Sequence, residues 1–408
     1  MLYNVLVLYL FFCCMKKILV WLSGWVDSAV AAYLLKEQWY QVTAGFMKNY
    51  VDEENPNCST YQDAKEAIKV AEFLWIEIIS FDLRQEYEDK IIKYIYDWYK
   101  KWITPNPDIL CNNLIKFDVF LEKALKLGFD WIAMGHYARI KSPLTPLSPW
   151  SVGTPFSLKK RREWWERNEE APLFQRGVWG DLERKKGQVG KFKLLRWVDY
   201  NKDQSYFLSW LNQYQLSKAL FPIGDMTKNE VRELAKKIWL PNAERKDSQW
   251  LCFIGKIPMK EFLKKRLATK KGDIVLLDWT KVWEHEWAYF FTIGQSRGLD
   301  INKKAYVVKT DIKKNLVYVS YEKLEEELIS KEILVSNWHR IGEKYEFPLK
   351  CTTKIRYRQE VQNATIFKRD EEWKELRVEY EDAQRWIAPG QTLTAYIGDE
   401  CIGSGVIV

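Results

Sequence analysis

An apolar strand that runs directly into a short polar loop and a helix is the feature that most constrains the fold. Residues 16–22 are strand-like, Ser23 to Ser28 form the loop, residues 29–38 have helical spacing, and residues 41–47 are strand-like again. This β-α-β pattern predicts parallel pairing. Further alternation predicts helices over 61–73, 85–100 and 115–126 and strands over 76–81 and 131–134. We therefore expect an α/β fold with a doubly wound parallel sheet.

The chain of 408 residues is too long for one hydrophobic core. We predict an α/β domain over 15–215, a small, mostly helical central domain over 216–270, and a C-terminal β-barrel over 271–408, where short strands alternate with turns. Within the first domain, residues 142–190 lack a hydrophobic period and are predicted to be a disordered insertion. The Lys-Lys-Arg-Arg run at 159–162 could bind RNA, although such runs of charged residues are more often simply exposed to solvent.

Composition excludes several classes of protein. The excess of 63 basic over 55 acidic residues is compatible with a polyanionic partner but does not establish one. Seven cysteines without a Cys-x-x-Cys pair argue against a disulfide scaffold or zinc module and predict a reducing, cytoplasmic location. Residues 1–14 are apolar but reach Lys16 too soon to span a membrane. We interpret them as an N-terminal extension from a start codon assigned too early, in preference to a membrane anchor.

The loop at 23–28 has the chemistry of a phosphate cradle. It combines backbone N–H groups at a helix N-terminus with two hydroxyls, and it lacks the Gly-Lys-Ser/Thr ending that goes with γ-phosphate hydrolysis. The competing interpretation is an ordinary helix cap at Ser23 or Asp27.

Two cysteines stand out by their surroundings. Cys111 follows Thr-Pro-Asn-Pro-Asp-Ile-Leu and precedes a helix predicted to start near Ile115, whose N-terminus could stabilise a thiolate. Cys252 lies in Lys-Asp-Ser-Gln-Trp-Leu-Cys-Phe-Ile-Gly. The remaining cysteines need no role beyond that of unreactive core residues; they are Cys13, Cys14, Cys58, Cys351 and Cys401.

Taken together, these motifs carry a family resemblance. The loop resembles the S-G-G-x-D-S loop of ATP pyrophosphatases. With both cysteine segments, Met-Gly-His-Tyr-Ala-Arg at 134–139, Asn-Lys-Asp-Gln-Ser-Tyr-Phe-Leu at 201–208 and Phe-Pro-Ile-Gly-Asp at 221–225, the chain resembles the tRNA-specific 2-thiouridylases. The resemblance runs from Met15 to Val408, interrupted only by residues 142–190. It implies an adenine nucleotide alpha hydrolase-like N-terminal domain with the pyrophosphate loop and a tRNA-binding central domain.

The resemblance also implies site residues. ATP, with Mg²⁺ and no permanently bound metal, is expected on Trp21, Leu22, Ser23, Gly24, Trp25, Val26, Asp27, Ser28, Met47 and Gly135. Contacts with tRNA are expected at Asn106, Pro107 and Asp108, which meet the target base, and at His136, Lys202, Asp203, Gln204, Arg356, Tyr357 and Gln391. The guanidinium of Arg356 can bind two oxygens of one phosphate, and the ring of Tyr357 can stack on an RNA base.

The implied reaction is the 2-thiolation of the wobble uridine of tRNA. ATP adenylates the uridine C2 oxygen, and Cys252 presents sulfur as a persulfide received from a relay protein. Cys111 is the partner nucleophile that completes release and leaves a Cys111–Cys252 disulfide.

Tryptophan is abnormally frequent, with 21 Trp against 19 Gly. Many of these residues stand where a turn or helix end favours glycine. They also occupy positions where the family has glycine: Trp25, Trp39, Trp75, Trp102, Trp197, Trp239, Trp250, Trp279, Trp283, Trp287 and Trp386. We interpret them as glycines encoded by UGA and translated as tryptophan, whereas Trp338 is interpreted as a true tryptophan.

Two alternatives remain. Another ATP pyrophosphatase, such as an amide-forming ligase, would share the loop but would have no need of the two cysteines. A tRNA-binding protein that has lost catalysis would fit a literal Trp25.

Overall fold

The computed structural model describes residues 15–51, 59–101, 103–142, 192–246, 259–299, 301–321, 329–369 and 375–408. Cys252, Trp102, Trp250, the extension 1–14 and the predicted insertion, except for Ser142, lie outside these residues. Within the described chain, no helix is both long enough and apolar enough to cross a membrane.

The first domain is built on a parallel sheet of five strands. They are β1 (Lys17–Trp21), β2 (Gln41–Lys48), β3 (Ile78–Asp82), β4 (Trp131–Ala133) and β7 (Ala219–Leu220), in the order β3-β2-β1-β4-β7. Strand order reverses between β1 and β4, because β2 and β3 lie on one side of β1 and the later strands on the other. The predicted doubly wound parallel sheet is confirmed, and its switch point lies beside the 23–28 loop.

Helices cover this sheet. They are α1 (Val26–Glu37), α2 (Ser59–Leu74), α3 (Arg84–Tyr87), α4 (Lys93–Lys100), α5 (Pro107–Leu110), α6 (Leu121–Lys126), α7 (Ser205–Leu208), α8 (Gln213–Ser217) and α9 (Lys228–Lys237). Residues Glu88–Ile92 and Cys111–Phe120 are π-helical and join the α-helices on either side of them. Buried apolar residues on the two faces of the sheet form two separate clusters, so the strands are covered on both sides.

Beyond the first domain, a short helix α10 (Met259–Lys264) precedes two β structures. Strands β8 (Gly272–Val275), β9 (Lys281–His285), β10 (Tyr306–Asp311) and β11 (Leu316–Ser320) form a four-stranded sheet. The C-terminal strands are β12 (Ile329–Arg340), β13 (Leu349–Lys354), β14 (Gln362–Lys368), β15 (Glu375–Arg385), β16 (Thr392–Ile397) and β17 (Glu400–Ile407). Pairing of β12 with both β15 and β17 closes them into the expected barrel.

A hairpin ties the first domain to the barrel. Strands β5 (Arg139–Lys141) and β6 (Lys193–Leu195) pair antiparallel, and β6 pairs with β17 through Leu195 and Glu400. Lys193 also forms an ion pair with Glu400, at 2.7 Å. The hairpin therefore extends the barrel sheet, and the two flanks of the predicted insertion meet at the pair Lys141–Lys193.

Candidate functional site

The 23–28 loop has a fixed conformation set by its own hydroxyls. The backbone N–H of Ser23 donates to Ser28 Oγ at 3.2 Å, and the two serine hydroxyls are 3.0 Å apart. Ser28 Oγ also donates to the carbonyl of Trp25 at 3.0 Å. Gly24 has a φ of 78°, a backbone conformation that favours glycine. The serines thus fold the loop over the start of α1.

Helix α1 begins without a side-chain cap. Its N-cap residue is Trp25, which is extended and makes no capping hydrogen bond. The first-turn N–H groups of a helix need partners outside the helix, and the helix dipole makes this end positive. The start of α1 therefore suits a phosphate group better than the alternative of an ordinary capped helix.

The loop after β4 closes on this helix start. A Cβ added to Gly135 would lie 2.7 Å from the backbone nitrogen of Ser28, so only glycine allows this approach. Met47, at the end of β2, and Trp21, at the end of the adjacent strand β1, are both buried in one apolar cluster. The predicted ATP-binding residues are therefore brought together at the carboxyl ends of the central strands.

Three side chains that sequence analysis did not identify also contact this loop. The carbonyl of Gly24 accepts from Asn242 Nδ2 at 2.9 Å and from Arg245 Nη1 at 3.0 Å. Asp27 Oδ1 accepts from Lys228 Nζ and from the hydroxyl of Tyr137, both at 2.6 Å. The contacts of Asn242, Arg245 and Lys228 join residues about 200 positions apart in the chain, and no short motif marks these three side chains. Tyr137, by contrast, belongs to the Met-Gly-His-Tyr-Ala-Arg motif.

Cys111 is a buried residue of the first domain. It is 2% exposed and belongs to the buried cluster that contains Trp21 and Met47. The helix that carries it begins at Pro107, not near Ile115 as predicted, so Cys111 follows the first turn instead of preceding the helix. Because the effect of a helix dipole fades within the first turn, the expected stabilisation of a thiolate by the helix N-terminus is correspondingly weaker.

Two titratable side chains lie near this cluster. Lys116, five residues after Cys111, is buried with its ammonium 4.3 Å from the ring centroid of Trp21. His136 is buried between Phe117 and Phe221, at ring distances of 6.0 and 5.8 Å. Burial lowers the pKa of His136 well below its usual value, and the charge of Lys116 lowers it further. The imidazole is therefore neutral and suited to hydrogen bonding more than to pairing with phosphate.

The segment predicted to meet the target base is held by the barrel. Gln391 Nε2 donates to the carbonyls of Thr104 at 3.0 Å and Pro105 at 3.3 Å. Asn106 Nδ2 donates to the hydroxyl of Tyr206 at 3.4 Å, and that hydroxyl donates to the carbonyl of Thr392 at 3.0 Å. Asn106, Pro107 and Asp108 are all partly exposed next to these contacts.

Arg356 and Tyr357 continue this surface. The ring of Tyr357 lies 4.5 Å from that of Phe207, centroid to centroid. Arg356 Nη2 donates to the carbonyl of Arg385 at 3.1 Å and to that of Trp386. Both predicted tRNA contacts are partly exposed and lie where the barrel meets α7.

The 202–204 segment has mixed exposure. Lys202 and Gln204 are partly exposed, and Gln204 exchanges hydrogen bonds of 2.9 Å with the backbone of Tyr137. Asp203 has no exposed side-chain surface. Its carboxylate accepts from the backbone of Trp197 at 3.1 Å and forms an ion pair with the buried Lys354 of the barrel at 3.3 Å. Burial lowers the pKa of Lys354, although the charge of Asp203 opposes that shift.

Cys252 lies in the range 247–258, outside the described residues, so its position relative to Cys111 is not part of this geometry. In the described ranges, no group of three or more His, Cys, Asp or Glu side chains could hold a metal ion.

Comparison with known proteins agrees with this architecture. Residues 16–256 match the family model described as tRNA methyl transferase HUP domain, residues 260–321 the tRNA methyl transferase PRC-barrel domain, and residues 330–407 the aminomethyltransferase beta-barrel domain. The chain is 38% identical over 401 residues to a tRNA-specific 2-thiouridylase MnmA of Pediococcus pentosaceus, covering 96% of this chain and 94% of the relative.

Proteins of the same name from two further organisms are nearly as similar. The one from Levilactobacillus brevis is 38% identical over 402 residues, and the one from Staphylococcus aureus is 37% identical over 398 residues. In each case the match covers 96% of this chain and 95% of the relative. The chain therefore belongs to the tRNA-specific 2-thiouridylase family.

Proposed function

We propose that this protein uses ATP to replace the C2 oxygen of the wobble uridine of tRNA with sulfur. One observation carries the proposal: Cys111 is buried in the same apolar cluster as Trp21 and Met47, which lie at the ends of the two central strands beside the phosphate loop. An amide-forming ligase would need the loop but not a cysteine in this cluster. Because tRNA is the substrate, we expect the protein to act in the cytoplasm.

Activation of the uridine comes first. The triphosphate of ATP lies on residues 21–28, with Met47 and Gly135 beside the nucleotide. Mg²⁺ would enter with ATP and neutralise part of the phosphate charge. The uridine C2 oxygen forms a bond to the α-phosphorus, and the bond from that phosphorus to the bridging oxygen breaks, so pyrophosphate leaves. The uncapped start of α1 supports this assignment, because its N–H groups suit the departing pyrophosphate.

Sulfur transfer follows in two exchanges. The terminal sulfur of a Cys252 persulfide, supplied by a relay protein, attacks C2 and AMP leaves with the former C2 oxygen. The Cys111 thiolate then attacks the Cys252 sulfur, which breaks the S–S bond and leaves the transferred sulfur on C2. The products are 2-thiouridine, AMP, pyrophosphate and a Cys111–Cys252 disulfide, which a thiol reductant must reduce before the next turnover.

Binding of tRNA uses the surface between the first domain and the barrel. Asn106, Pro107 and Asp108 meet the base, and His136, Lys202, Gln204, Arg356, Tyr357 and Gln391 bind the surrounding RNA. Asp203 acts in this scheme by positioning its neighbours, since its carboxylate is buried between Trp197 and Lys354.

The decisive test is thiolation by purified protein. Substrate tRNA is incubated with ATP and a persulfide donor, and the nucleosides are analysed by mass spectrometry. We expect 2-thiouridine at the wobble position and one AMP for each sulfur incorporated. AMP formation without thiolation would favour an amide-forming ligase or another pyrophosphatase, and tRNA binding without AMP formation would favour the non-catalytic alternative.

We also propose that the protein made in its own cell carries glycine at most of the eleven tryptophan positions named above. Five of the nine that the structure describes, Trp39, Trp75, Trp239, Trp279 and Trp386, have φ values between 53° and 71°. Such values favour glycine and are unfavourable for a bulky side chain.

Trp197 differs from these five, because it is fully buried and its indole N–H donates to the carbonyl of Met226 at 2.7 Å.

Peptide mass spectrometry of native material across residues 17–36 identifies the residue at position 25 directly. Tryptophan there would refute the recoding proposal and favour the non-catalytic alternative.

A further inference from the structure

We infer that Lys354, a buried residue of the barrel, positions two segments that are proposed to bind tRNA. These segments are 202–204 of the first domain and 356–357 of the barrel. The inference rests on the proposed function and adds to it a residue that touches no RNA itself, since Lys354 is only 2% exposed. Its ammonium lies 3.3 Å from the carboxylate of Asp203, the middle residue of the first segment.

The place of Lys354 in the chain gives it this role. It is the last residue of β13, so the strand that carries it leads directly to Arg356 and Tyr357. Its partner Asp203 is flanked within the 202–204 segment by two partly exposed side chains. A single ion pair therefore joins the two segments, and each of its members lies within three residues of the side chains proposed to bind tRNA.

The carboxylate of Asp203 divides its contacts between a turn of the first domain and the barrel. Its Oδ1 accepts from the backbone N–H groups of Trp197 at 3.1 Å and Ser205 at 3.0 Å, which fixes the turn before α7. Its Oδ2 accepts from Nζ of Lys354 at 3.3 Å and from Nε of Arg196 at 3.4 Å. Of these four donors, Lys354 alone comes from the barrel.

Aromatic rings surround the ion pair. The ring centroid of Tyr396, which has no exposed surface, lies 5.8 Å from Nζ of Lys354 and 5.5 Å from the guanidinium carbon of Arg196. Close by, the ring of Phe207 lies 4.5 Å from that of Tyr357, centroid to centroid. The ring contact and the ion pair connect the same two parts of the chain, so together they fix how the barrel meets the start of α7.

A buried ion pair contributes more to geometry than to stability. The cost of removing both charges from water largely offsets their attraction, so an apolar pair of the same volume is often at least as stable. The ion pair nevertheless requires that the ammonium stay within hydrogen-bonding distance of the carboxylate, whereas apolar side chains tolerate a range of positions. The pair between Lys354 and Asp203 therefore specifies the relative position of the two segments.

Binding of RNA depends on that relative position. Arg356 has to meet a phosphate and Tyr357 a base, and both contacts are directional. The same RNA also has to reach Lys202 and Gln204 on the other segment. Because one rigid ligand meets both segments, a shift of one segment against the other weakens contacts on both.

A purely structural role makes a different prediction. If the ion pair only stabilises the fold, variants that remain folded should bind tRNA as the unchanged protein does. If the pair positions the two segments, folded variants should lose affinity for tRNA and keep their affinity for ATP. The 23–28 loop is held by its own hydroxyls and does not depend on this pair.

The experiment compares the double variant Asp203→Asn/Lys354→Met with the unchanged protein in the thiolation assay. The double variant has the same net charge, and the oxygen of asparagine can still accept from the two N–H groups of the turn. We expect KM for tRNA to rise about tenfold or more, and KM for ATP to change by less than about twofold.

The matched control is Glu122→Gln/Lys126→Met, which removes an exposed ion pair of α6 and also keeps the net charge. It should match the unchanged protein in both KM values. For the folded test variant, an unchanged KM for tRNA, an equal rise in both KM values, or a loss confined to kcat would overturn the inference.

Asp203→Asn alone provides a second measurement. Removal of a negative charge strengthens long-range attraction to RNA, so charge alone predicts a lower KM for tRNA. Positioning predicts a higher KM, because the ammonium of Lys354 loses its charged partner. A lower or unchanged KM for tRNA in this variant would refute the inference.

Thermal unfolding of each variant shows whether it is folded. If the unchanged protein forms no AMP with tRNA, the proposed function itself is wrong. If the unchanged protein is active and the folded variants bind tRNA normally, only the role of Lys354 is wrong.

Discussion

Replacement of Trp75 by glycine should stabilise the fold relative to replacement by alanine. Trp75 follows α2 with a φ of 53°, and its N–H donates to the carbonyl of Glu72 at 3.0 Å. The N–H of Ile76 donates to the carbonyl of Ala71, also at 3.0 Å, which completes a Schellman motif. The indole is 89% exposed, so its burial contributes little stability to offset the backbone strain of the left-handed conformation.

The size of the stability difference between the two variants follows from the left-handed backbone conformation at position 75. A left-handed conformation costs a residue with a Cβ about 1–2 kcal/mol, and the flexibility of glycine in the unfolded chain costs about 0.5–1 kcal/mol. Trp75→Ala removes the indole but keeps the strained Cβ, whereas Trp75→Gly removes both. The glycine variant should therefore be more stable than the alanine variant by about 1 kcal/mol.

Inside the same helix, the stability difference between glycine and alanine variants should have the opposite sign. Lys65 is exposed in the middle of α2, where glycine is about 1 kcal/mol less favourable than alanine. Equilibrium unfolding in urea of the four variants, Ala and Gly at positions 65 and 75, measures both differences. If glycine is no more stable than alanine at position 75, the argument from backbone strain is wrong.

The same motif recurs at two other helix ends. Trp39 after α1 and Trp239 after α9 have φ values of 64° and 60°, with matching hydrogen bonds to the carbonyls of Lys36 and Lys236. Similar differences are expected there, and additive effects would total about 3 kcal/mol over the three sites.

Three further outcomes are expected. Cys252→Ser and Cys111→Ser should abolish thiolation while adenylation of tRNA persists, with Cys351→Ser as the matched control; loss of adenylation to the same degree would contradict this division of roles. Stability should fall as pH drops below about 6.5, by up to about 1.4 kcal/mol per pH unit for each buried neutral histidine, because the unfolded chain takes up the proton first. His136, whose pKa is lowered well below its usual value by burial, should contribute to this loss, and His136→Phe should flatten the curve measured by urea unfolding at pH 5 to 7; parallel curves would refute it. Replacing residues 143–191 with Asn-Gly should leave circular dichroism and thiolation unchanged, because Lys141 and Lys193 already pair; a product that does not fold would mean that the segment packs against the core.

The first β-α-β unit was predictable from sequence because every local signal agreed. An apolar run, a polar loop and a 3.6-residue period each specify one element, and the observed β1, α1 and β2 differ from the predictions by no more than three residues at any boundary. The start of the helix before Cys111 was misplaced because its proline was interpreted as part of an extended approach. Asn106 followed by Pro107 is a typical start signal, with proline at the first helical position, and it marks the observed boundary.

Long-range contacts left no local signal. Strand β7 has two residues, and its place beside β4 depends on the tertiary fold more than on its own sequence. The pairing of β6 with β17 joins segments about 200 residues apart, and the same holds for Arg245 and Gly24. Such contacts depend on how the helices and sheets pack, so composition and periodicity alone do not indicate them.

The barrel contributes to the site by fixing the position of the 103–107 segment. Pro105 and Pro107 have no N–H to donate, so the 103–107 stretch has few backbone hydrogen bonds of its own. Gln391 supplies donors to two of its carbonyls, and a Cβ at Gly390 would lie 2.7 Å from the Thr104 carbonyl oxygen. The position of the residues proposed to meet the base therefore depends on a turn 286 residues away from Pro105 in sequence. Assembly of the barrel on the first domain is accordingly part of forming the site and not only a means of adding RNA-binding surface.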